Sequence, residues 1–171
     1  MLFIIFLTGL FFGSFFNVLI YRLPLNKSII LPSSYCPNCE TKLKYYDLIP
    51  VLSYISTKGK CRYCGEKISL RYPIVELLTA LLFLLAFLKY GLNAEFIIML
   101  ILISSLIVVS FIDLKHQIIP NEITFSLIPL GLVMSVFLNH ISFINSLLGL
   151  VIPAGLLLSI AFIYKKGMGI G

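Results

Sequence analysis

Charge is scarce in this chain. Only 12% of its 171 residues are charged, whereas a soluble globular domain carries about 25%. An ordinary soluble domain is thereby excluded. Acid is the scarcer sign, with 7 Asp and Glu against 13 Lys and Arg, for a net charge of +6. In a soluble protein that balance points to nucleic acid. In a chain this apolar it points to cytoplasmic loops, where Lys and Arg accumulate, and no nucleic-acid partner is expected. No basic residue precedes the first apolar run, and Arg22 is the first charge. The positive n-region and small-residue cleavage site of a signal peptide are both missing. Internal repeats, a mark of many transporters, are not evident either.

What remains is long apolar sequence. Hydrophobic residues make up 60% of the chain and mean hydropathy is +1.06. Five apolar runs stand out, at 2–20, 74–88, 96–112, 123–138 and 144–164. About 20 apolar residues in a helix cross the hydrocarbon of a bilayer. The expected fold is therefore an all-α polytopic membrane protein with about five transmembrane helices. Pro73 suits the first turn of the second helix, Pro129 lies inside the fourth run, and Asn121 is placed to cap that helix. Near the N-terminus, Gly13 and Ser14 permit close helix approach, and Asn17 can hydrogen-bond across helices.

The segments divide as 1–20, a first transmembrane helix; 21–72, a polar insert; and 73–171, the remaining membrane helices. The insert holds nine of the thirteen basic residues. With the N-terminus outside, twelve of the thirteen fall on the inner side, and only Lys89 lies outside. The positive-inside rule thus predicts an N-out first helix and a cytoplasmic insert.

Two Cys-x-x-Cys pairs, Cys36/Cys39 and Cys61/Cys64, lie in the insert with twenty-one residues between them. Four thiolates make a closed tetrahedral site of the structural zinc kind. The gap is slightly longer than the usual zinc-ribbon spacing. A reducing cytoplasm argues against paired disulfides. An insert of about fifty residues buries too little core to be stable alone, so a metal staple makes physical sense.

Asp113 ends the third apolar run and is followed by Lys115, His116, Pro120 and Asn121. A carboxylate at membrane depth costs about 2.5–3.5 kcal/mol at the bilayer centre and less near the interface. Two readings stand at this point: an interfacial residue that snorkels to water, and a functional carboxylate. The terminal run, Gly167, Gly169 and Gly171 at alternate positions, follows no strand, so a dinucleotide-binding loop does not fit. A backbone that passes close to another group fits better, because glycine has no Cβ.

Taken together these segments resemble the prepilin peptidases, or type IV leader peptidases, polytopic aspartic proteases of the bacterial cytoplasmic membrane. The resemblance is carried by Gly13-Ser-Phe-Phe-Asn-Val-Leu-Ile-Tyr-Arg-Leu-Pro24, the two cysteine pairs, Ile49–Tyr54, Ser69–Glu76, Ile112-Asp113 with Pro120-Asn121, and Gly167–Gly171. It implies that Asp113 is the first catalytic aspartate and that Gly167, Gly169 and Gly171 belong to an active-site loop. It also implies zinc on Cys36, Cys39, Cys61 and Cys64. The second catalytic aspartate is expected directly after Gly171, so the chain reads as truncated before it and inactive as it stands. The implied substrates are type IV prepilins and pseudopilins. The resemblance further implies N-methylation of the new terminus with S-adenosylmethionine, although no residue here marks a methyl-donor pocket. Rival readings are a transporter or channel fragment, with Glu76 and Asp113 along its path, and a non-catalytic zinc-anchored membrane scaffold.

Overall fold

A computed structural model describes residues 1–137 and 142–163. Among them are six α-helices: α1 (Leu2–Arg22), α2 (Leu52–Ser56), α3 (Arg71–Tyr90), α4 (Ala94–His116), α5 (Asn121–Phe137) and α6 (Phe143–Ile163). No strand longer than a single bridge occurs among the described residues. The all-α expectation is met. Helices α1, α3, α4 and α6 are long and apolar enough to cross a membrane, and α5 is a shorter apolar helix. This suits a multi-pass membrane protein. It also explains why Leu81, Leu85, Ile97 and Leu106 are exposed, since hydrocarbon is their solvent.

The helices outrun the apolar stretches that announce them. Helix α3 starts at Arg71, three residues before its run, and α4 continues through Lys115 and His116. Backbone hydrogen bonding stops where the conformation changes, and a change of hydropathy alone does not end it. Helix α3 ends at Gly91 with φ +65°, and α4 ends at Gln117 with φ +55°. Asn121 proves to be the first residue of α5, one place after a cap, and the Pro120 carbonyl accepts the N–H groups of Ile123 and Thr124.

The chain forms two compact units, residues 1–117 and 118–171. In the first, α1, α3 and α4 pack together, with the insert between α1 and α3 in sequence. The α1–α3 contact rests on Gly9 and Gly13. A Cβ on Gly9 would lie 2.5 Å from the Ala80 Cα, and one on Gly13 would lie 2.6 Å from the Glu76 Cα. Only hydrogen fits at either place. Asn17 continues the same i, i+4 row and donates from Nδ2 to the Tyr72 carbonyl of α3 at 3.1 Å. Phe12 stacks at a tilt on Phe83, with centroids 5.9 Å apart. Phe87 of α3 meets Phe96 of α4 edge-on at 5.7 Å. In the second unit α5 and α6 pack against each other.

Gly13→Ala is expected to destabilise the first unit by about 1–3 kcal/mol through overpacking. Gly149→Ala, where an added Cβ meets nothing within 4 Å, should stay within about 0.5 kcal/mol of the parent or gain slightly. Denaturant unfolding in detergent micelles, followed by helix content, checks the pair.

Candidate functional site: a thiol cluster beside the membrane helices

The insert folds as two copies of one small hairpin. Tyr35 bridges Lys42 in the first and Lys60 bridges Lys67 in the second, twenty-five residues on. In each, the first cysteine donates its N–H across the hairpin: Cys36 to the Thr41 carbonyl at 3.0 Å, Cys61 to the Glu66 carbonyl at 2.7 Å. In each, the residue after the second cysteine has positive φ, Glu40 at +55° and Gly65 at +73°. That left-handed step closes the turn, with the N–H of Glu40 donated to the Cys36 carbonyl and that of Gly65 to the Cys61 carbonyl. Both thiols of each pair are thereby presented on one side.

The four sulfurs lie within 4.8 Å of one another, and Cys36 Sγ is 3.9 Å from Cys64 Sγ. A tetrahedral ion with metal–sulfur bonds of about 2.3 Å needs sulfurs about 3.8 Å apart. The four cysteines therefore fit one metal ion, and the donor set suits zinc. Their thiols differ in acidity. Burial pushes the Cys36 thiol up to about 11. The Thr41 hydroxyl and N–H bring Cys39 down to about 6. Burial raises Cys61, but the N–H groups of Cys64 and Tyr63 outweigh it and leave the thiol below its ordinary value. A bound cation would favour the thiolate at every position and displace the remaining protons.

Asp47, in the short turn Tyr45–Leu48 that follows the first hairpin, holds the second hairpin, and nothing in its sequence context marked it. Arg62 Nε donates to Oδ1 at 2.9 Å. The Tyr63 hydroxyl donates to Oδ2 at 2.8 Å, and the Lys44 N–H donates to the same oxygen at 3.2 Å. Burial pushes this carboxyl up, yet the three donors together hold it below its usual value. Arg62 also lies over the Tyr46 ring at 5.2 Å.

A second carboxyl joins the insert to the membrane helices. Glu76 of α3 is buried, and its Oε2 accepts the Val51 N–H at 2.7 Å. Val51 has φ +60°, a conformation that a β-branched residue rarely adopts. Arg22, at the end of α1, donates to the Ser28 carbonyl at 2.9 Å and to the Pro32 carbonyl at 2.6 Å. A cavity of about 370 Å³ is lined by residues from both sides, among them Cys36 and Cys61 from the insert and Ser14, Asn17 and Glu76 from the helices.

Asp113 lies on the last turn of α4, exposed, and its carbonyl accepts the Gln117 N–H at 2.8 Å. A carboxylate at a helix C-terminus faces the negative end of the macrodipole. The neighbouring Lys115 and His116 follow the favourable pattern, and Asp113 breaks it. Gly167, Gly169 and Gly171 lie outside the described residues.

The family described as Bacterial Peptidase A24 N-terminal domain matches residues 7–90, and the Type IV leader peptidase family matches residues 100–171. The chain is 33% identical to a prepilin leader peptidase/N-methyltransferase of Dichelobacter nodosus, over 98% of this chain and 71% of that protein. This chain belongs to the type IV leader peptidase family. Proteins of the same name match in Myxococcus xanthus, at 42% identity over 85% of this chain and 43% of the relative. In Bacillus subtilis the figures are 43% identity over 75% of this chain and 52% of the relative. The chain thus spans about half the length of these two relatives. No solved structure matches.

Reduced, purified protein is expected to carry one metal ion per chain by elemental analysis. Replacing all four cysteines with serine should remove it, and Asp47→Ala should make a chelator strip it at lower concentration. Undiminished metal in the four-serine variant contradicts the assignment.

Proposed function

We propose that this chain is the leader peptidase of type IV prepilin-like precursors in a bacterial cytoplasmic membrane. The N-terminus is outside, and the insert and Asp113 are on the cytoplasmic side. The observation that carries the reading is Asp113 itself. It is an exposed carboxylate ending an apolar helix of 23 residues, against the local helix-dipole preference. A precursor with a cytoplasmic leader and an adjoining membrane helix presents its scissile bond at that depth. The thiol cluster holds structural zinc, which the reducing side of the membrane permits.

Cleavage needs an activated water and a protonated leaving amine. Two carboxylates sharing a proton supply both, because repulsion between like charges keeps the pair from giving up its last proton. Asp113 is one of the pair. One carboxylate takes a proton from water as its oxygen attacks the carbonyl carbon. The other gives its proton to the amine nitrogen as the peptide bond breaks. Gly167, Gly169 and Gly171 carry no Cβ that would obstruct a substrate backbone.

Methylation of the freed terminus completes the proposal. S-adenosylmethionine supplies an activated methyl group when bound. The cavity beside the thiol cluster suits such a donor: Glu76 offers a carboxyl, and Tyr21, Tyr54 and Tyr72 offer aromatic faces.

Asp113→Asn, in protein carrying both carboxylates, is expected to abolish leader cleavage while the protein stays folded. The substitution keeps size and hydrogen bonding and removes the proton-accepting charge. The assay compares parent and variant on a precursor with its basic leader. A variant rate within about tenfold of the parent, roughly 1.4 kcal/mol in the barrier, overturns the role of Asp113.

A further inference from the structure

We propose that residues 48–56, which contain α2, form an interfacial anchor whose partner is lipid. Leu48, Ile49, Leu52 and Ile55 lie at the boundary between headgroups and acyl chains of the adjacent leaflet. For a segment facing water, this one is built inside out. Leu52 and Ile55, one helical turn apart, are each 64% exposed, and Leu48 and Ile49 are exposed as well. Ser53, Tyr54 and Thr57 of the same stretch face the interior, where they line the cavity. A surface helix in water buries its apolar side and exposes its polar one. Here hydroxyls point inward and aliphatic side chains point outward, over ten residues, 48–57, that carry no charge. An element that lies in the membrane interface presents its apolar side to the acyl chains in this way.

The packing of α1 on α3 places this face at membrane depth. The two helices run antiparallel, with Gly9 against Ala80 and Gly13 against Glu76. Glu76 lies within the apolar run 74–88. Gly13 lies nine residues before the end of α1, about 13 Å along the helix axis. Glu76 Oε2 holds the Val51 N–H at 2.7 Å. The chain entering α2 is thereby tied to the flank of the membrane helices, inside the aqueous end of α1. Ile74, Leu77 and Leu78, which bracket Glu76 on α3, are also exposed. Exposed apolar surface thus extends from α3 to the segment tied against it.

The hydrogen bonding of the segment points the same way. Backbone that reaches acyl chains must have its polar groups paired within the protein. Val51 donates its N–H to Glu76, Leu52 to the Pro50 carbonyl, Ser53 to that of Ile49, Ile55 to that of Val51 and Thr57 to that of Ser53. Pro50 has no N–H to satisfy. The Ser56 and Thr57 hydroxyls each donate to the Ser53 carbonyl at 2.9 Å, and the Tyr54 hydroxyl donates to the Ile68 carbonyl at 3.3 Å. Buried Glu76 supplies the acceptor that an irregular residue needs at this depth. Lys42, Lys44, Lys58 and Lys60 flank the segment in sequence and are exposed, and such charges suit anionic headgroups.

The chain contains no Trp, so a single introduced Trp reports alone. Leu52→Trp and Ile55→Trp are each reconstituted, as the full chain loaded with zinc, into vesicles of phosphatidylethanolamine and phosphatidylglycerol. Matched vesicles carry bromine on the acyl chains, which quenches Trp only at close range. Bromine in both leaflets makes the result independent of the side that the insert occupies. A twofold or greater loss of intensity is expected at both positions, in protein whose helix content matches the parent. Ile49→Trp carries the same prediction if a Trp within α2 prevents folding. A smaller loss at either position, with emission at the wavelength of Trp in water, shows solvent at the face and overturns the proposal. A smaller loss with blue-shifted emission overturns it too, because protein then covers the face, either a second copy or another segment of this chain.

Discussion

The close approach of α1 and α3 is the contact on which the rest of the first unit depends. Lipid tails are as apolar as leucine, so helices in a bilayer gain little from hydrophobic burial against each other. They gain from dispersion and hydrogen bonds at short range. Gly9 and Gly13 let the α1 backbone meet the α3 backbone at Ala80 and Glu76. That proximity brings Asn17 within reach of the Tyr72 carbonyl. It also fixes where α3 begins relative to the end of α1, and hence the span that the insert must bridge. Glu76 then does two things at once, packing against Gly13 and holding the Val51 N–H of the insert.

The insert solves a different problem, that of a short polar segment with little core. Its buried apolar residues are few, and Cys36 and Cys61 are among them. Order comes from two matched hairpins, from a metal-ready set of four thiols, and from one carboxylate that ties them. Asp47 reaches from the turn after the first hairpin to Arg62 and Tyr63 inside the second cysteine pair. An ion pair on an open surface contributes little. This one is reinforced by a tyrosine hydroxyl, and the Asp47 side chain is only 7% exposed. The cluster and the helix pair are thus joined at two points, by Glu76 to Val51 and by Arg22 to the loop carbonyls of Ser28 and Pro32.

Much of the architecture was legible because its signals are local. Apolar runs mark the membrane helices, and paired Cys-x-x-Cys spacing marks a metal site. Gly13 and Asn17 were readable as packing residues. Gly9 was not singled out, although Gly9 and Gly13 share a spacing of four with Asn17. The hairpin duplication was also missed. Its twenty-five-residue offset is carried by the two cysteines and by backbone conformation, with Glu40 standing where the second copy has Gly65. Asp47 and the Glu76–Val51 bond were invisible for a plain reason: each joins residues fifteen or more positions apart, and no periodicity reports such a pairing. Asp113 is the reverse case. Its residue type at the end of an apolar run is conspicuous, but its role depends on a second carboxylate distant in sequence.

Hydrogen exchange at the Val51 amide tests most directly whether the α1–α3 contact positions the insert through Glu76. Val51 lies in a short irregular segment where an amide open to water exchanges fast. The account predicts that it is protected in the parent protein and loses that protection in Gly13→Ala, which displaces the Glu76 backbone. Protection that persists in Gly13→Ala, or a Val51 amide that exchanges as fast in the parent as the exposed amides around it, would contradict the account.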